Sequence, residues 1–431
     1  MPPERRSAPR APASRGSGPA RPRVLVLAES LPYPTLKGGD LRTWQNVNAL
    51  ASVADVGVFG LCSNDRRRDR RPDLDLLCWT TSTDAALTSP PPTGVRLPGR
   101  AWLLDPRGHP SDLYFSEDAA RELAQLLASI RPDVVLLEGL WLQRYLGIVR
   151  AAGCRTILDC HNVEAALFRE LAQAVDRHDL EGRIVRDVLP ARTEAIERDA
   201  VHEVDQLWVC SADDEHRLRQ LYDQPTPTFV IPNGIRLEDF EAPDAAWERP
   251  AGATPLTMLF HGIFAYRPNA IAAAFLLEEV LPRLVAACDT CRLVLVGPLP
   301  TPQMLAAAAR DPRVIVTGAV ADVRPHLADA TVLAVPLFQG GGTHLKVLEA
   351  FAAGLPVVST TKGAEGLGAR DGTHLLVAET AAEFVEAALA VWRRPSLGAR
   401  LRAEARALVA RRFSWQAVGA AVRPAIAALG A

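Results

Sequence analysis

The stretch that decides the fold is Phe338–Ser359, which reads FQGGGTHLKVLEAFAAGLPVVS. It opens with three glycines, and a residue without a Cβ lets the backbone approach a ligand closely. Thr343 follows as a predicted N-cap, a predicted helix extends to Gly354, and a short β-branched strand comes next. Another apolar run, residues 331–336, precedes the glycines. The stretch therefore predicts a strand, a glycine loop, a helix and a second strand.

A loop of this kind directs free N–H groups and the positive end of a helix towards an anion, usually a phosphate. Lys346 lies in the first turn of the predicted helix, where its ammonium group can reach that phosphate. Glu349 lies one turn further on, where a carboxylate can accept a pair of ribose hydroxyls. The alternative is a glycine-rich loop without a ligand, in which Lys346 and Glu349 form a solvated ion pair. The stretch alone leaves both interpretations open.

Length and composition indicate a globular protein with two domains. A chain of 431 residues is too long for one hydrophobic core. Its apolar content of 48% and charged content of 23% are ordinary for a soluble protein. The net charge of -2 argues against nucleic acid as a partner. No run of about 20 apolar residues is present, so the sequence predicts no membrane span.

The seven cysteines are scattered, and most lie inside apolar runs. This pattern predicts buried, reduced thiols in a cytoplasmic protein. Cys288 and Cys291 form a C-x-x-C pair without a second pair, so zinc is not expected there. Residues 1–22, rich in Pro, Ala, Ser and Arg, predict a disordered tail whose membrane contact is at most peripheral, at the inner face.

Strand and helix patterns alternate along the rest of the chain. They predict an α/β protein with two Rossmann-like, doubly wound halves of about five to seven strands each, at residues 23–235 and 236–395. A polar, Pro-rich segment at residues 240–255 is the predicted linker, and residues 396–431 predict helices that pack back towards the first half. Ligands bind at the carboxyl ends of strands in such sheets. The glycines and the histidine at these ends are Gly38, Gly39, His161, Gly262, Gly297, Gly318 and the loop Gly340–Gly342.

Five motifs, in this order, resemble the retaining glycosyltransferases of the GT-B fold, and more narrowly glycosyltransferase family 4, the group 1 transferases. They are IPNG at residues 231–234, FHGIFAYRPN at 260–269, LVLVGP at 293–298, VTGAVADVRPHLADATVLAVPL at 316–337 and GGGTHLKVLEAFAAGLPVVSTTKGAEGL at 340–367. The resemblance extends from about residue 24 to the end of the chain. It implies two domains facing a central cleft, and transfer of a sugar from a nucleotide diphosphate-sugar to a glycan, lipid-linked or small-molecule acceptor.

The resemblance places the donor in the second half. Glu349 matches the second glutamate of the family's E-x7-E motif, which binds the ribose, whereas the first glutamate is replaced here by Gly341. The N–H groups of Gly341, Gly342 and Thr343 are expected to take over at the sugar. The other residues expected at the donor are Gly262, Gly297, Gly340 and Leu345, with Val320 near the base.

The family's diphosphate-binding arginine has no counterpart, because Ile263 holds its position. Arg267 is the nearest basic residue, and Lys346 is expected to supply the missing charge. His344 stands where an arginine is expected in this subgroup.

The first half is expected to bind the acceptor. Gly38 and Gly39 match the family's glycine loop near the diphosphate, and His161, in DCHNVE, matches the histidine that lies near the donor sugar. The alternative for His161 is a histidine that merely ends a strand. Four further residues stay open between a role in the cleft and a purely structural one: Arg42, Trp141, Asn162 and Glu164.

The predicted enzyme is a retaining, hexosyltransferase-like glycosyltransferase in which His161, Lys346 and Arg267 act in catalysis. No clear carboxylate nucleophile is present, which suits attack on the face that the leaving phosphate departs from. No Asp-x-Asp motif follows a predicted strand, so we expect neither a metal nor another cofactor. Two rival hypotheses remain: a nucleotide-sugar epimerase of the same fold, and a non-catalytic nucleotide-sugar-binding module.

Overall fold

A computed structural model describes residues 21–35, 38–62, 72–84, 109–173, 186–223, 225–240 and 255–430. The predicted tail, apart from its last two residues, and most of the predicted linker lie outside these residues. The described chain forms two parallel β-sheets, each flanked by helices. No described helix has the length and apolar character needed to cross a membrane.

The N-terminal sheet is parallel throughout its described strands. These strands are β1 (Arg23–Ser30), β2 (Asp55–Cys62), β3 (Trp79–Thr81), β4 (Val134–Glu138), β5 (Arg155–Cys160), β6 (Gln206–Val209) and β7 (Thr228–Val230). Their spatial order is β3-β2-β1-β4-β5-β6-β7. The helices that connect them are α1 (Gly38–Ala51), α2 (Glu117–Ile130), α3 (Leu146–Ala151), α4 (Glu164–Gln173), α5 (Leu189–Glu203) and α6 (Ala212–Tyr222), with 3-10 helices at Pro110–Tyr114 and Leu140–Tyr145.

The C-terminal sheet is likewise parallel. Its described strands are β8 (Thr257–His261), β9 (Arg292–Val296), β10 (Val314–Val316), β11 (Val332–Val335), β12 (Val357–Ser359) and β13 (Leu376–Val377), in the spatial order β10-β9-β8-β11-β12-β13. The helices are α7 (Arg267–Phe275), α8 (Leu281–Ala287), α9 (Pro302–Arg310), α10 (Arg324–Asp329), α11 (Leu345–Ala353), α12 (Ala381–Arg393), α13 (Pro395–Arg412) and α14 (Trp415–Ala427), with 3-10 helices at Leu237–Phe240 and Lys362–Ala364. Seven and six described strands confirm the expected strand number of each half.

Alternating side chains of β1 show why the N-terminal sheet is buried on both faces. Leu25 and Leu27 belong to the core that includes Leu123 of α2, whereas Val24 and Val26 belong to the opposite core, which includes Val47 of α1. All six side chains are fully buried. A strand that is covered on both faces must be apolar throughout, which explains the continuous apolar run RVLVLA.

The last two helices pack on different domains. α13 packs against α11 and α12 of the C-terminal domain, whereas α14 packs against α1. Val418 and Val422 of α14 are fully buried in the N-terminal core, and Gln206 of β6 donates from Nε2 to the carbonyl of Ala425 at 2.9 Å. The chain thus returns to its first domain through one helix.

Some local predictions differ from the structure. α1 begins at Gly38, so Gly38 and Gly39 form its first turn rather than a loop. The N-cap of α11 is His344, not Thr343, and it makes no side-chain cap hydrogen bond. A π-helical segment at Leu276–Val280 lies between α7 and α8.

The strand order of each sheet reverses beside its first strand. β2 and β4 lie on opposite sides of β1, and β9 and β11 lie on opposite sides of β8. Crevices form at the carboxyl ends of strands at such a switch point, and ligands bind there. β1 and β4 border the crevice of the first domain, and β8 and β11 border that of the second. The two crevices open onto one cleft between the domains.

Candidate active site

A cleft of about 600 Å³ lies between the two domains. It brings together most of the residues that the sequence predicts for the donor site. From the N-terminal domain these are Gly38, Gly39 and His161, and from the C-terminal domain Gly262, Gly297, Val320, Gly341, Gly342, Thr343, Leu345, Lys346 and Glu349. The structure does not place Gly340 or Arg267 among the described residues that line this cleft. Gly340 lines a smaller cavity of about 200 Å³ behind the glycine loop, and Arg267 is exposed at the start of α7.

The glycine loop presents unused hydrogen-bond donors to the cleft. Within the described chain, no residue accepts a hydrogen bond from the N–H groups of Gly341, Gly342 or Thr343. The N-terminus of α11 follows directly, and its positive end adds to the attraction for an anion. These N–H groups are therefore available to an acceptor that enters the cleft.

Two strand ends meet tightly beside this loop. A Cβ at Gly297 would overlap the carbonyl oxygen of Gly262, and Gly297 has a φ of 144°. Only glycine permits this approach and this conformation without strain. The contact forms the floor of the cleft next to Lys346, whose Nζ would lie 3.2 Å from a Cβ at Gly262.

Lys346 is held in place by two neighbours. Its Nζ donates to Oδ1 of Asn269 at 2.7 Å and lies 4.3 Å from the ring centroid of Phe260. Burial lowers the pKa of Lys346 to about 7, against the opposing charge of Glu349. Burial also raises the pKa of Glu349 to about 7, against the charge of Lys346. Both groups are therefore poised to change charge when an anion enters the cleft.

Three buried polar atoms around this lysine lack a hydrogen-bond partner among the described residues. They are Nε2 of His261, Oγ1 of Thr343 and Nε2 of His344. Burial, together with the charge of Lys346, lowers the pKa of both histidines to about 3, so both rings are neutral. Nε2 of His261 lies 3.5 Å from Oε2 of Glu349, beyond hydrogen-bond distance. Buried polar groups are normally satisfied, so Nε2 of His261 is available to a polar group that enters the cleft.

On the opposite wall, His161 belongs to a buried charged cluster. Its Nε2 lies 3.1 Å from Oε2 of Glu138 and 3.2 Å from Oδ2 of Asp159. Arg42 binds Asp159 through two donors, with its Nε 2.8 Å from Oδ2. Asn46 donates to both carboxylates, at 3.1 Å and 3.0 Å. We name these five residues the Arg42 cluster.

The Arg42 cluster keeps His161 protonated. Burial disfavours the charged ring, but hydrogen bonds to Asp159 and Glu138, together with their charges, raise the pKa of His161 to about 10. Burial also disfavours ionisation of Asp159, yet Arg42 outweighs it and holds the pKa of Asp159 well below its usual value. Burial and the neighbouring Asp159 raise the pKa of Glu138. His161 therefore carries a positive charge at the cleft near neutral pH.

Ligand atoms of Glu138, Asp159 and His161 lie within 4.8 Å of one another, a spacing that could hold a metal ion. The chemistry of the donor set argues otherwise. Arg42 already donates to both oxygens of Asp159, and His161 would have to lose its proton to ligate a metal. One arginine and one protonated histidine balance two carboxylates, so the cluster needs no cation.

Polar contacts join the two domains around the cleft. Glu170 of α4 accepts a hydrogen bond from the N–H of Gly340 at 3.0 Å and pairs with Nζ of Lys362 at 2.8 Å. Arg217 of α6 pairs with Glu365. Because these pairs anchor the glycine loop and the segment after β12, the N-terminal domain helps to position the donor half.

The four residues whose role the sequence did not decide lie in different parts of the N-terminal domain. Arg42 is 3% exposed and serves in the Arg42 cluster, so it is not a solvated helix residue. Trp141 is half-buried and stacks on His109, with centroids 5.4 Å apart, away from the cleft-lining residues described above. Asn162 lines the cleft, and Glu164 is buried behind it.

Several residues of the site escape prediction from sequence. Glu138 and Asp159 lie at or near the ends of β4 and β5, and His261 ends β8. A charged residue that ends an apolar strand is the signal that could have identified them. Asn269 and Asn233 carried no such signal, because asparagine in a turn or at a helix start is common.

The sequence matches two family descriptions over most of its length. Residues 37–234 match the glycosyl transferase 4-like domain, and residues 255–394 match the glycosyl transferases group 1. The chain belongs to the group 1 glycosyltransferases. No curated protein gives a significant match to this sequence.

Solved structures share the fold of this glycosyltransferase at low sequence identity. Sucrose-phosphate synthase from Thermosynechococcus elongatus is 18% identical, with a TM-score of 0.71 over 95% of this chain and 99% of that one. Anabaena HepE in complex with UDP-glucose is 12% identical, with a TM-score of 0.65 over 94% and 99%. A glycosyltransferase from Rickettsia africae is 12% identical, with a TM-score of 0.61 over 95% and 98%. These likenesses confirm the GT-B fold.

Proposed function

We propose that this glycosyltransferase takes a sugar, most suitably a hexose, from a nucleotide diphosphate-sugar and transfers it with retention at the anomeric carbon. The observation that carries the proposal is the set of unused N–H groups on Gly341, Gly342 and Thr343, with Lys346 beside them. His161 faces them from the other domain. A diphosphate fits this loop because it accepts several N–H donors and one ammonium group at once.

The other parts of a nucleotide sugar have matching partners. Glu349 provides a carboxylate for the ribose hydroxyls, and exposed Val320 lies at the rim where a base can rest. Structures of Anabaena HepE hold UDP and UDP-glucose, which supports a donor of this class. The acceptor is a glycan, a lipid-linked sugar or a small molecule that enters from the N-terminal side.

Retention is proposed from the resemblance to the retaining group 1 transferases, and the carboxylates in the cleft bear on how it would be achieved. Among the described residues that line it, Glu349 is the only acid, and its proposed partner is the ribose. Glu138 and Asp159 are engaged by the other members of the Arg42 cluster. None of these three carboxylates is thus free to form a covalent sugar intermediate. We propose that the acceptor attacks on the face from which the phosphate leaves, with the phosphate oxygen taking the acceptor's proton.

Hydrolysis of the donor by the purified protein tests the function. A panel of UDP-, GDP- and ADP-hexoses is first ranked by thermal shift, because a ligand that binds the folded state raises its melting temperature. A transferase releases sugar slowly from the best donor, and NMR of the first-formed anomer reports retention. An epimerase would interconvert the sugar, and a binding module would do neither.

Replacing Glu349 with alanine is expected to weaken donor binding by roughly ten- to a hundredfold, because two ribose hydroxyls lose a charged acceptor worth about 1.5–3 kcal/mol. Calorimetry with the best nucleotide measures the effect. Glu386→Ala, on the exposed face of α12, is the matched control and should bind as the wild type does. Unchanged affinity in a folded Glu349→Ala protein would reject the ribose assignment.

Activity is expected to survive metal chelation. Lys346, the loop N–H groups and the N-terminus of α11 supply the positive potential that a cation provides elsewhere. Initial rates with and without EDTA measure this. A loss of activity that added magnesium or manganese restores would contradict the prediction.

We also propose a cytoplasmic location, with membrane contact at most peripheral. All seven cysteines lie in the described chain without a disulfide, and six of them are buried. Such thiols suit a reducing compartment.

A further inference from the structure

The glycine loop lies close to the side chain of Asn162 in the N-terminal domain. A Cβ at Gly341 would lie 3.0 Å from Oδ1 of Asn162, and one at Gly342 would lie 2.8 Å from the same atom. A Cβ at Gly342 would also lie 3.0 Å from the carbonyl oxygen of His161. The amide of Asn162 therefore occupies the space that a side chain at position 341 or 342 would fill.

The amide of Asn162 is fixed from behind. Its Nδ2 donates to Oε1 of Glu164 at 3.1 Å, and Glu164 is 7% exposed. Glu197 fixes the backbone there in turn, since it accepts the N–H groups of Glu164 and Ala165 at 2.7 Å and 3.1 Å. Because Nδ2 points at Glu164, Oδ1 points at the loop.

Oδ1 of Asn162 has no donor among the described residues, although Asn162 lines the cleft. An amide oxygen is an acceptor and repels phosphate oxygens, so it does not suit the diphosphate. A hydroxyl can donate to it. Beside the diphosphate, a nucleotide sugar carries such donors on the ribose, which is proposed to bind Glu349, and on the transferred hexose.

We propose that Asn162 is a specificity-determining residue, whose Oδ1 accepts a hydrogen bond from one ring hydroxyl of the donor hexose. This assignment rests on the proposed function. In this assignment the N–H groups of the loop bind the diphosphate, and the adjoining amide oxygen accepts a hydrogen bond from the sugar. Glu164 is the positioning residue, since it keeps the oxygen rather than the NH2 group turned towards the loop.

The assignment is tested by combining the removal of the Asn162 side chain with the removal of single hydroxyls from the donor, as in a double-mutant cycle. The donor is the hexose nucleotide that gives the largest thermal shift, together with its 2-, 3-, 4- and 6-deoxy analogues and the bare nucleotide. Wild-type hydrolysis is expected to discriminate against one deoxy analogue by tenfold or more in kcat/KM. Asn162→Ala should lose that discrimination at the same position and keep it at the others, while its affinity for the bare nucleotide stays within twofold.

Asn48→Ala is the matched control, because the amide of Asn48 donates to the carbonyl of Trp44 on α1, outside the cleft. This variant should discriminate between the donor and its deoxy analogues as the wild type does. Asn162→Ser serves if the alanine variant does not fold. Glu164→Ala keeps Asn162 but removes the hydrogen bond that orients its amide. This variant should therefore lose part of the discrimination against the same deoxy analogue.

Two failures can be told apart. An active wild type whose discrimination survives unchanged in Asn162→Ala, or whose bare-nucleotide affinity falls in parallel, would overturn the Asn162 assignment alone. A wild type that binds no nucleotide sugar of the panel would overturn the proposed function and this assignment with it.

Discussion

Replacing His161 with alanine is expected to lower turnover by roughly two or more powers of ten, in the range typical of a charged group that acts at a reacting centre. The protonated ring lies on the N-terminal wall, across the cleft from the loop proposed to hold the donor. It can act on the sugar only in the closed cleft, so it contributes to the transition state and little to ground-state binding. Nucleotide affinity should therefore change little.

The same substitution should lower the melting temperature, because Glu138 and Asp159 then share Arg42 as their remaining positive partner. Turnover per folded molecule separates the two effects. Measurements of turnover, nucleotide affinity and melting temperature on one preparation are compared with those of His216→Ala, an exposed histidine on α6. Near-wild-type turnover in the folded variant would remove His161 from the reaction and leave it a structural residue.

Replacing Lys346 with methionine is expected to lower kcat/KM by roughly a hundred- to a thousandfold, the usual cost of removing one stabilising donor from a developing oxyanion. Methionine keeps most of the apolar side chain, but it removes the ammonium group that lies over Phe260 and is directed at the leaving diphosphate. Both KM and kcat should be affected, because the diphosphate is charged in the ground state and gains charge as the bond breaks. Arg310→Met removes a cation from the exposed surface of α9 and should have no effect.

The pH dependence of binding gives a second measurement on the same lysine. The pKa of Lys346 in the free enzyme is about 7, so the ammonium form dominates below pH 7 and is lost above it. Glu349 loses its proton over the same range, which also disfavours an anion. Wild-type nucleotide affinity should therefore fall as pH rises from about 6 to about 8, and Lys346→Met should flatten this dependence. An equal fall in both proteins would exclude Lys346 as its cause.

Local sequence patterns were sufficient to predict most of the strands and helices. Strands such as β1 and β9 appear as continuous apolar runs because helices cover both faces of their sheets. The sequence pattern does not predict the edge strands β3 and β13, which have three and two residues. Strands that short carry no periodicity, and pairing with the neighbouring strand alone establishes them.

The sequence by itself determined the donor loop, because Gly341, Lys346 and Glu349 lie within one loop and one helix. Their order along the chain already places them on one side of a helix N-terminus. Tertiary structure alone decided the opposite wall. Arg42 and Asp159 lie 117 positions apart, and Asn162 meets the loop from the other domain.

Tertiary structure also decided the charge of His161. The motif DCHNVE shows a histidine after a strand, which is compatible with a neutral ring and with a charged one. The pKa depends on the distances to Glu138 and Asp159, which lie on neighbouring strands of the folded sheet. Coulombic and hydrogen-bond energies depend on separation in space rather than along the chain, so only the fold could establish that this ring is protonated.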